Sequence, residues 1–237
     1  FIYIFLDQKI ILIHDKLTFQ VYSLMSKIIL SFETSSSICG VSVMDNGNLL
    51  SLVEENSYRK HNENIADFTD RAIKQSKKLI SEIDAIAISI GPGSFTGLRI
   101  GLGFAKGLAF SQGIPIIPVP TLLSMAFGLR DNEPSSGIAH SHSKKVFYQE
   151  FSWQNSIPKI KDKAKVGDID QYSSKIKDGF QWNCEDILTD HSRTYNAVPS
   201  AVPVGILASI FFDDWIIEKP YDLEPDYIAP FEIRSSE

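Results

Sequence analysis

Two periods of apolar residues take turns along this chain. "KIILSFETS" (27–35) is an apolar run that ends in polar turn residues, which reads as a buried strand. "ICGVSVMDNGNLLSLVEEN" (38–56) reads as two β-rich runs joined at Asp45, Asn46, Gly47 and Asn48, and Asn-Gly between such runs is a hairpin signal. These runs predict a three-stranded meander over 28–55. From His61 the period changes. Ile65, Phe68, Ala72 and Leu79 fall near helical spacing, with Glu63, Asp67, Asp70, Lys74 and Lys77 elsewhere, so the pattern predicts an amphipathic helix of about four turns. "IDAIAISIG" (83–91) is apolar on both faces, as in a fully buried strand. A glycine-rich turn and a helix follow. "IPIIPVP" (114–120) is the next strand, and "TLLSMAFGL" (121–129) opens another helix with Thr121 as its N-cap. Alternating strands and helices imply a parallel element in the sheet.

Beyond "RDNEPSSG" (130–137) the pattern weakens. "GIAHSHSKKVFYQEFSW" (137–153) reads as a hairpin, 154–181 carries little signal, "PVGILASIFFDDW" (203–215) reads as a short helix, and "EPDYIAPFEIRSSE" (224–237) as a proline-broken tail. The division expected is an α/β lobe over 25–130 and a smaller lobe with a tail over 131–237. Residues 1–24 are expected to form an upstream extension outside the fold, with Met25 as a natural start. An extra strand or hairpin from "KIILI" and "LTFQVYSL" is the alternative. Charges interrupt this stretch, so it offers neither the roughly 20 apolar residues of a membrane helix nor the unbroken apolar core of a secretory leader.

The stretch "GPGSFTGLRIGLGFAKGL" (91–108) raises the sharpest question. Its helical part holds Gly97, Gly101, Gly103 and Gly107, each costing about 1 kcal/mol relative to alanine in a helix interior. It fails three nucleotide or nucleophile patterns. A P-loop needs a glycine where Thr96 stands and a lysine after it. A dinucleotide turn needs its last glycine one residue before Gly97. A nucleophile elbow needs glycines where Pro92 and Thr96 flank Ser94. The glycines form two pairs, each four residues apart, and at about 100° per residue the pairs point in different directions. One pair is expected against the sheet, and the other against a helix of this chain or of a partner.

Composition narrows the function. The 237 residues carry a formal net charge of −6, which disfavours direct RNA binding by this chain alone. Two distant cysteines, Cys39 and Cys184, make no disulfide framework and are read as reduced thiols of a cytoplasmic protein.

"GPGSFTGLRIG" (91–101) closely resembles the signature of the TsaB (YeaZ) family, the dimerisation subunits of the bacterial tRNA threonylcarbamoyladenosine (t6A) machinery. "ILSFETSS" (29–36) resembles that family's first strand, "HNENIADFTDRAI" (61–73) its first helix, "IPVPTLLSMA" (117–126) the strand and helix after the motif, and "EPDYIAP" (224–230) its tail. The likeness runs from Met25 to about Pro230 and is strongest over 26–128. It implies an actin-like, Hsp70-like ATPase fold (ASKHA, ribonuclease H-like) with a full first lobe and a reduced second one. It further implies a scaffold without catalytic residues or cofactor of its own. ATP and a metal ion would sit on partner subunits: TsaD, which transfers threonylcarbamoyl to N6 of the adenosine beside the anticodon, and TsaE, which joins the TsaB–TsaD pair. The isolated subunit would form a homodimer, and tRNA would be met only indirectly. The rival classes are a small-molecule kinase or ATPase of the same fold and a peptidase.

Three features of the residues agree with the scaffold reading. The first hairpin delays its glycine to Gly40, His61 is followed at i+4 by Ile65 where a metal-binding helix needs a second histidine, and the chain is acidic. The signature loop is Gly91, Pro92, Gly93, Ser94, Phe95, Thr96, Gly97 and Arg99. The partner-facing surface is expected at Ile65, Phe68, Ala72, Leu98, Gly101 and Ala105. Two features depart from the family. His140 and His142 stand where an Asp-Ala-Arg-like segment is usual, with Cys184 and His191 as remote further ligands, and are read as surface or packing residues. Lys159, Lys161, Lys163 and Lys165 alternate as a basic strand edge, of the kind that deters edge pairing.

Overall fold

The computed structural model describes residues 2–6, 9–13, 26–57, 60–176, 178–188 and 194–228. Strands β1 (Ile2–Leu6) and β2 (Lys9–Ile13) pair antiparallel in a sheet of their own, joined to neither larger sheet.

The first lobe begins with the predicted meander. β3 (Ile28–Glu33), β4 (Ile38–Asp45) and β5 (Asn48–Asn56) run antiparallel. Asn46 and Gly47 both take positive φ, 49° and 79°, which is the backbone a two-residue hairpin turn requires. Helix α1 (His61–Ser76), β6 (Ala85–Ser89), α2 (Phe95–Gln112), β7 (Ile116–Val119) and α3 (Thr121–Gly128) follow, with β6 parallel to β3 and β7 parallel to β6. The sheet order is β5-β4-β3-β6-β7. β3 and β6 are buried on both faces because helices cover both sides of the sheet. On one side Leu30, Phe32 and Ile86 meet Ile65, Phe68, Leu102 and Ala105 of α1 and α2. On the other, Ile29 and Met44 meet Leu122 and Met125 of α3. α1 ends at Lys77, whose φ of 59° closes the helix, so Leu79 lies outside it, exposed, and not on its apolar stripe. Thr121 is the first helical residue and not the cap. Its hydroxyl accepts the Gly91 amide at 3.1 Å.

The second lobe repeats the first sheet's arrangement with fewer helices. β8 (Ser136–His142) and β9 (Lys145–Gln154) form the expected hairpin. β10 (Ile157–Ile160) and β11 (Lys165–Asp168) line the outer edge of β9, and β12 (Gly179–Trp182) and β13 (Thr194–Asn196) add parallel to β8. With β11 set aside as a second partner of β9, its order, β10-β9-β8-β12-β13, again places the third, second, first, fourth and fifth strands side by side. The four alternating lysines are exposed, but only Lys159 and Lys165 lie on strands, β10 and β11; Lys161 and Lys163 fall in the connection between them, and Lys165 pairs with Asp162 at 3.6 Å.

Helix α4 (Ala201–Ile210) then leaves the second lobe and packs on the first sheet. Val204 and Leu207 enter the core beside Ile29 and Met44, and the Ser42 hydroxyl of β4 donates to the Ala201 carbonyl at 3.0 Å. The division at residue 131 therefore describes the chain's order but not its packing. A last short helix, α5 (Phe212–Trp215), precedes a tail that runs beside α2. Among the described residues no helix is long and apolar enough to cross a membrane.

Candidate docking helix and interlobe cleft

The glycines of α2 fall into two groups with opposite surroundings. A Cβ added at Gly97 would overlap the Thr34 carbonyl oxygen, and one at Gly101 would overlap the Thr34 hydroxyl and stand 3.1 Å from Thr34 Cβ. One turn earlier, a Cβ on Gly93 would overlap the Ser35 carbonyl. Three glycines at four-residue spacing thus form a smooth channel in which the end of β3 lies. The Ser94 amide donates to the Ser35 carbonyl at 2.7 Å, and the Ser94 hydroxyl caps α2 by accepting the Gly97 amide at 3.2 Å. Gly103 and Gly107 have nothing within 4 Å of an added Cβ. With Thr96, half-buried Ile100 and Phe110, they form a stripe at i, i+4, i+7, i+11 and i+14 along the outer side of the helix. Phe110 is 75% exposed.

The outer stripe has two walls. On one side stand Phe104 and Leu108, half-buried against the core that α1 and α2 share with the sheet. On the other, the tail is fastened to α2. Arg99 lies over the Phe95 ring at 3.9 Å, and its Nε donates to the Tyr227 hydroxyl at 2.8 Å. Tyr227 packs on Phe95 with centroids 5.0 Å apart, and Lys106 donates to the Tyr221 carbonyl at 2.9 Å. The Asp226 amide donates to the Ile90 carbonyl at 2.7 Å.

This geometry corrects the expected partner surface. Ile65, Phe68, Ala72, Leu98, Gly101 and Ala105 are all buried inside this chain. On α1 and α2 the apolar stripe packs on the sheet. Gly103, Gly107 and Phe110 are what α2 leaves exposed on its outer side. Their signal was the second glycine pair, which arithmetic alone places away from the first. The loop residues Gly91 to Thr96 and Arg99 come together as the bracket that joins β3, α2 and the tail.

Between the lobes opens a cleft of about 1910 Å³, lined by Ser35–Ser37, Pro92–Thr96, His61, His140–Ser143 and Asp226. His61 is the first residue of α1, buried, with Nε2 paired to the Ile38 carbonyl at 3.0 Å. His140 Nε2 pairs with the Ser143 carbonyl at 3.0 Å, and the Ser141 hydroxyl with His142 Nδ1 at 3.1 Å. Among the described residues no three His, Cys, Asp or Glu side chains converge on a point where a metal could sit. Cys184 is buried, its Sγ donates to the Trp182 carbonyl at 3.2 Å, and burial pushes its thiol up to about 12. His191 lies outside the described residues. Among the described residues the hydrogen bonds of Ser94 run to Gly97 and to the Ser35 and Leu98 backbone.

Two lobes with the same strand order, the second stripped of helices, define an actin-like, ribonuclease H-like fold of the reduced kind. The structure superposes on YeaZ from Pseudomonas aeruginosa with a TM-score of 0.73 at 20% identity, over 85% of this chain and 99% of that one. In sequence it is 26% identical over 220 residues to the tRNA threonylcarbamoyladenosine biosynthesis protein TsaB of Haemophilus influenzae, covering 84% of this chain and 92% of that protein. It is 37% identical over 100 residues to the TsaB of Escherichia coli, covering 42% and 43%. A family model described as TsaD, tRNA N6-adenosine threonylcarbamoyltransferase, matches residues 52–150. In sequence and in fold the chain is thus similar to proteins of the TsaB (YeaZ) family.

Proposed function

We propose that this chain acts in t6A biosynthesis as a scaffold subunit that offers the outer stripe of α2 to a TsaD-type partner. One observation carries the reading: on an 18-residue helix, Gly103 and Gly107 leave backbone open beside an exposed Phe110. Small residues four apart let another helix approach closely, and the flanking aromatics supply apolar area for it to bury. A helix lying in this groove between Leu108 and the tail completes a helical bundle. In isolation the same groove receives a second copy of the chain. ATP, the metal ion and the transferase chemistry belong to the partner subunits, with TsaE joining the pair, and tRNA is met through TsaD in the cytoplasm. The subunit favours the partner's active conformation by binding it more tightly than the inactive one.

Co-purification with a TsaD-type transferase tests this. Gly103→Leu and Gly107→Leu each fill the groove and are expected to abolish the complex while the isolated chain keeps its fold. Gly101→Leu is expected to fail differently, by unfolding the chain against Thr34. A complex that forms unimpaired with both outer leucines present would remove α2 as the docking helix.

A further inference from the structure

The hairpin of β1 and β2 has no part in the docking reading. Its register runs from Ile2 opposite Ile13 to Leu6 opposite Lys9, and every strand residue except Lys9 is apolar in sequence. A two-stranded hairpin is marginal in water by itself and needs a further strand or an apolar surface to pack on.

The first sheet offers both at β5. β4 pairs with one side of β5, and among the described residues no strand pairs with the other. Leu49, Leu50 and Leu52 are 47%, 37% and 38% exposed. Leu49 and Leu52 stand opposite Met44 and Ser42, so they share the face on which α4 packs. The end of α4 adds Ile210, 44% exposed, next to Ser209, whose Cβ lies 3.7 Å from a Cβ built on Gly47. A long strand edge with exposed apolar residues is a template for another strand, and the charges of β5, Glu54 and Glu55, lie toward its far end.

The chain from β2 enters the fold at this patch. The Asn46 amide donates to the Lys27 carbonyl at 3.0 Å, and the Lys27 amide donates to Asn46 Oδ1 at 2.9 Å. Asn46 belongs to the turn that opens into β5, and the Lys27 ammonium stands 4.8 Å from the centre of the Phe212 ring, just past Ile210. Residues 14–26 can extend roughly 40 Å, more than the roughly 30 Å of a nine-residue strand such as β5. We propose that the hairpin is the cover of this edge: one of its strands adds to β5 through backbone hydrogen bonds, and the hairpin closes over Leu49, Leu52 and Ile210. The tether holds it there at an effective concentration on the order of millimolar, which a free second copy does not reach. α2 packs on β3, β6 and β7, so this cover leaves the docking stripe open and stands apart from the t6A reading.

The test uses the full chain. Amide exchange in β1 and β2 is expected to be slow in the unmodified chain and about tenfold faster in the double variant Leu49→Lys/Leu52→Lys, with β8 unchanged. Both leucines are exposed, so the variant is expected to keep its fold. A nitroxide on Gln8→Cys gives a second readout that leaves the edge intact, since Cys39 and Cys184 are buried and stay unlabelled. It is expected to broaden the amides of β5 and of the end of α4 and to spare those of β8. Fast exchange throughout β1 and β2 in the unmodified chain overturns the proposal, as does exchange indifferent to the two lysines. Broadening of β5 that arises only between a nitroxide-labelled chain and a separate isotope-labelled copy overturns it too, because the occupant is then a second molecule.

Discussion

Replacing the four glycines of α2 by alanine, one at a time, separates the two sides of the helix. Each change removes a helix-interior glycine, a gain of about 1 kcal/mol from propensity. At Gly103 and Gly107 nothing opposes that gain, since an added Cβ meets no atom within 4 Å. For a chain of this size 1 kcal/mol moves the melting temperature by roughly 2–4 °C, so the outer pair together should raise it by about 4–8 °C. At Gly97 the new methyl overlaps the backbone carbonyl of Thr34, one residue past the end of β3. Overpacking of this kind costs about 1–3 kcal/mol and more where the neighbour cannot shift, so the net change is a loss. Gly101 is intermediate, because its neighbour is the Thr34 side chain, whose hydroxyl can rotate but whose Cβ at 3.1 Å must give. Thermal unfolding of the four variants should rank them Gly107→Ala and Gly103→Ala above the parent, then Gly101→Ala, then Gly97→Ala. If the two outer variants lose stability as Gly97→Ala does, the outer side of α2 is already occupied and the argument fails.

Four further outcomes follow from the same geometry. Because Glu33 titrates at about 7 when folded and 4.5 in the reference state, the folded chain binds the extra proton between these values; stability should be greatest below the lower value and fall by up to about 3 kcal/mol as pH rises through the higher one, and Glu33→Gln should flatten that slope in urea titrations. Tyr227→Phe removes the acceptor for Arg99 Nε; it should cost about 1 kcal/mol and speed proteolysis within residues 218–228, read by mass spectrometry of limited digests. Glu54 accepts the first amide of α4 at 2.9 Å; Glu54→Ala should lower stability by about 1–2 kcal/mol, and unchanged melting would show that this contact does not hold the helix start. Cys39 and Cys184, both buried with thiols pushed up to about 12, should react with a thiol reagent only on unfolding, and rapid labelling of the native chain would contradict their burial.

Much of the first lobe could be read ahead of the structure. The Asn46–Gly47 turn, the doubly buried run at 85–89 and the helix from His61 announce themselves through local chemistry. The glycine signature was legible as a family mark but not as geometry. Its partner in space, Thr34, is sixty residues away in the chain's winding, and no periodicity links a strand end to a helix face. The expected docking residues failed for a related reason. Ile65 or Leu98 on an amphipathic helix looks the same whether its stripe meets a sheet or a partner, and only the covering by β3 decides. The second lobe was obscure because its strands are short and interrupted, as at 161–164, and because the repeat of strand order resides in hydrogen-bond pairing and not in similar residues. The return of α4 to the first sheet leaves no trace in "PVGILASIFF" beyond its being apolar on all sides, which did hint at a helix with more than one neighbour.

The docking of α4 across β3 and β4 also sets an order of events during synthesis. The first sheet is covered on that side by residues that leave the ribosome some seventy positions after α3. Until Val204 and Leu207 emerge, Ile29 and Met44 have only part of their cover, and a fragment ending near residue 130 would display the same bare patch permanently. The nascent chain must therefore build its second lobe before its first is finished. Holding factors that bind exposed apolar sheet would find their longest window on this protein during that interval.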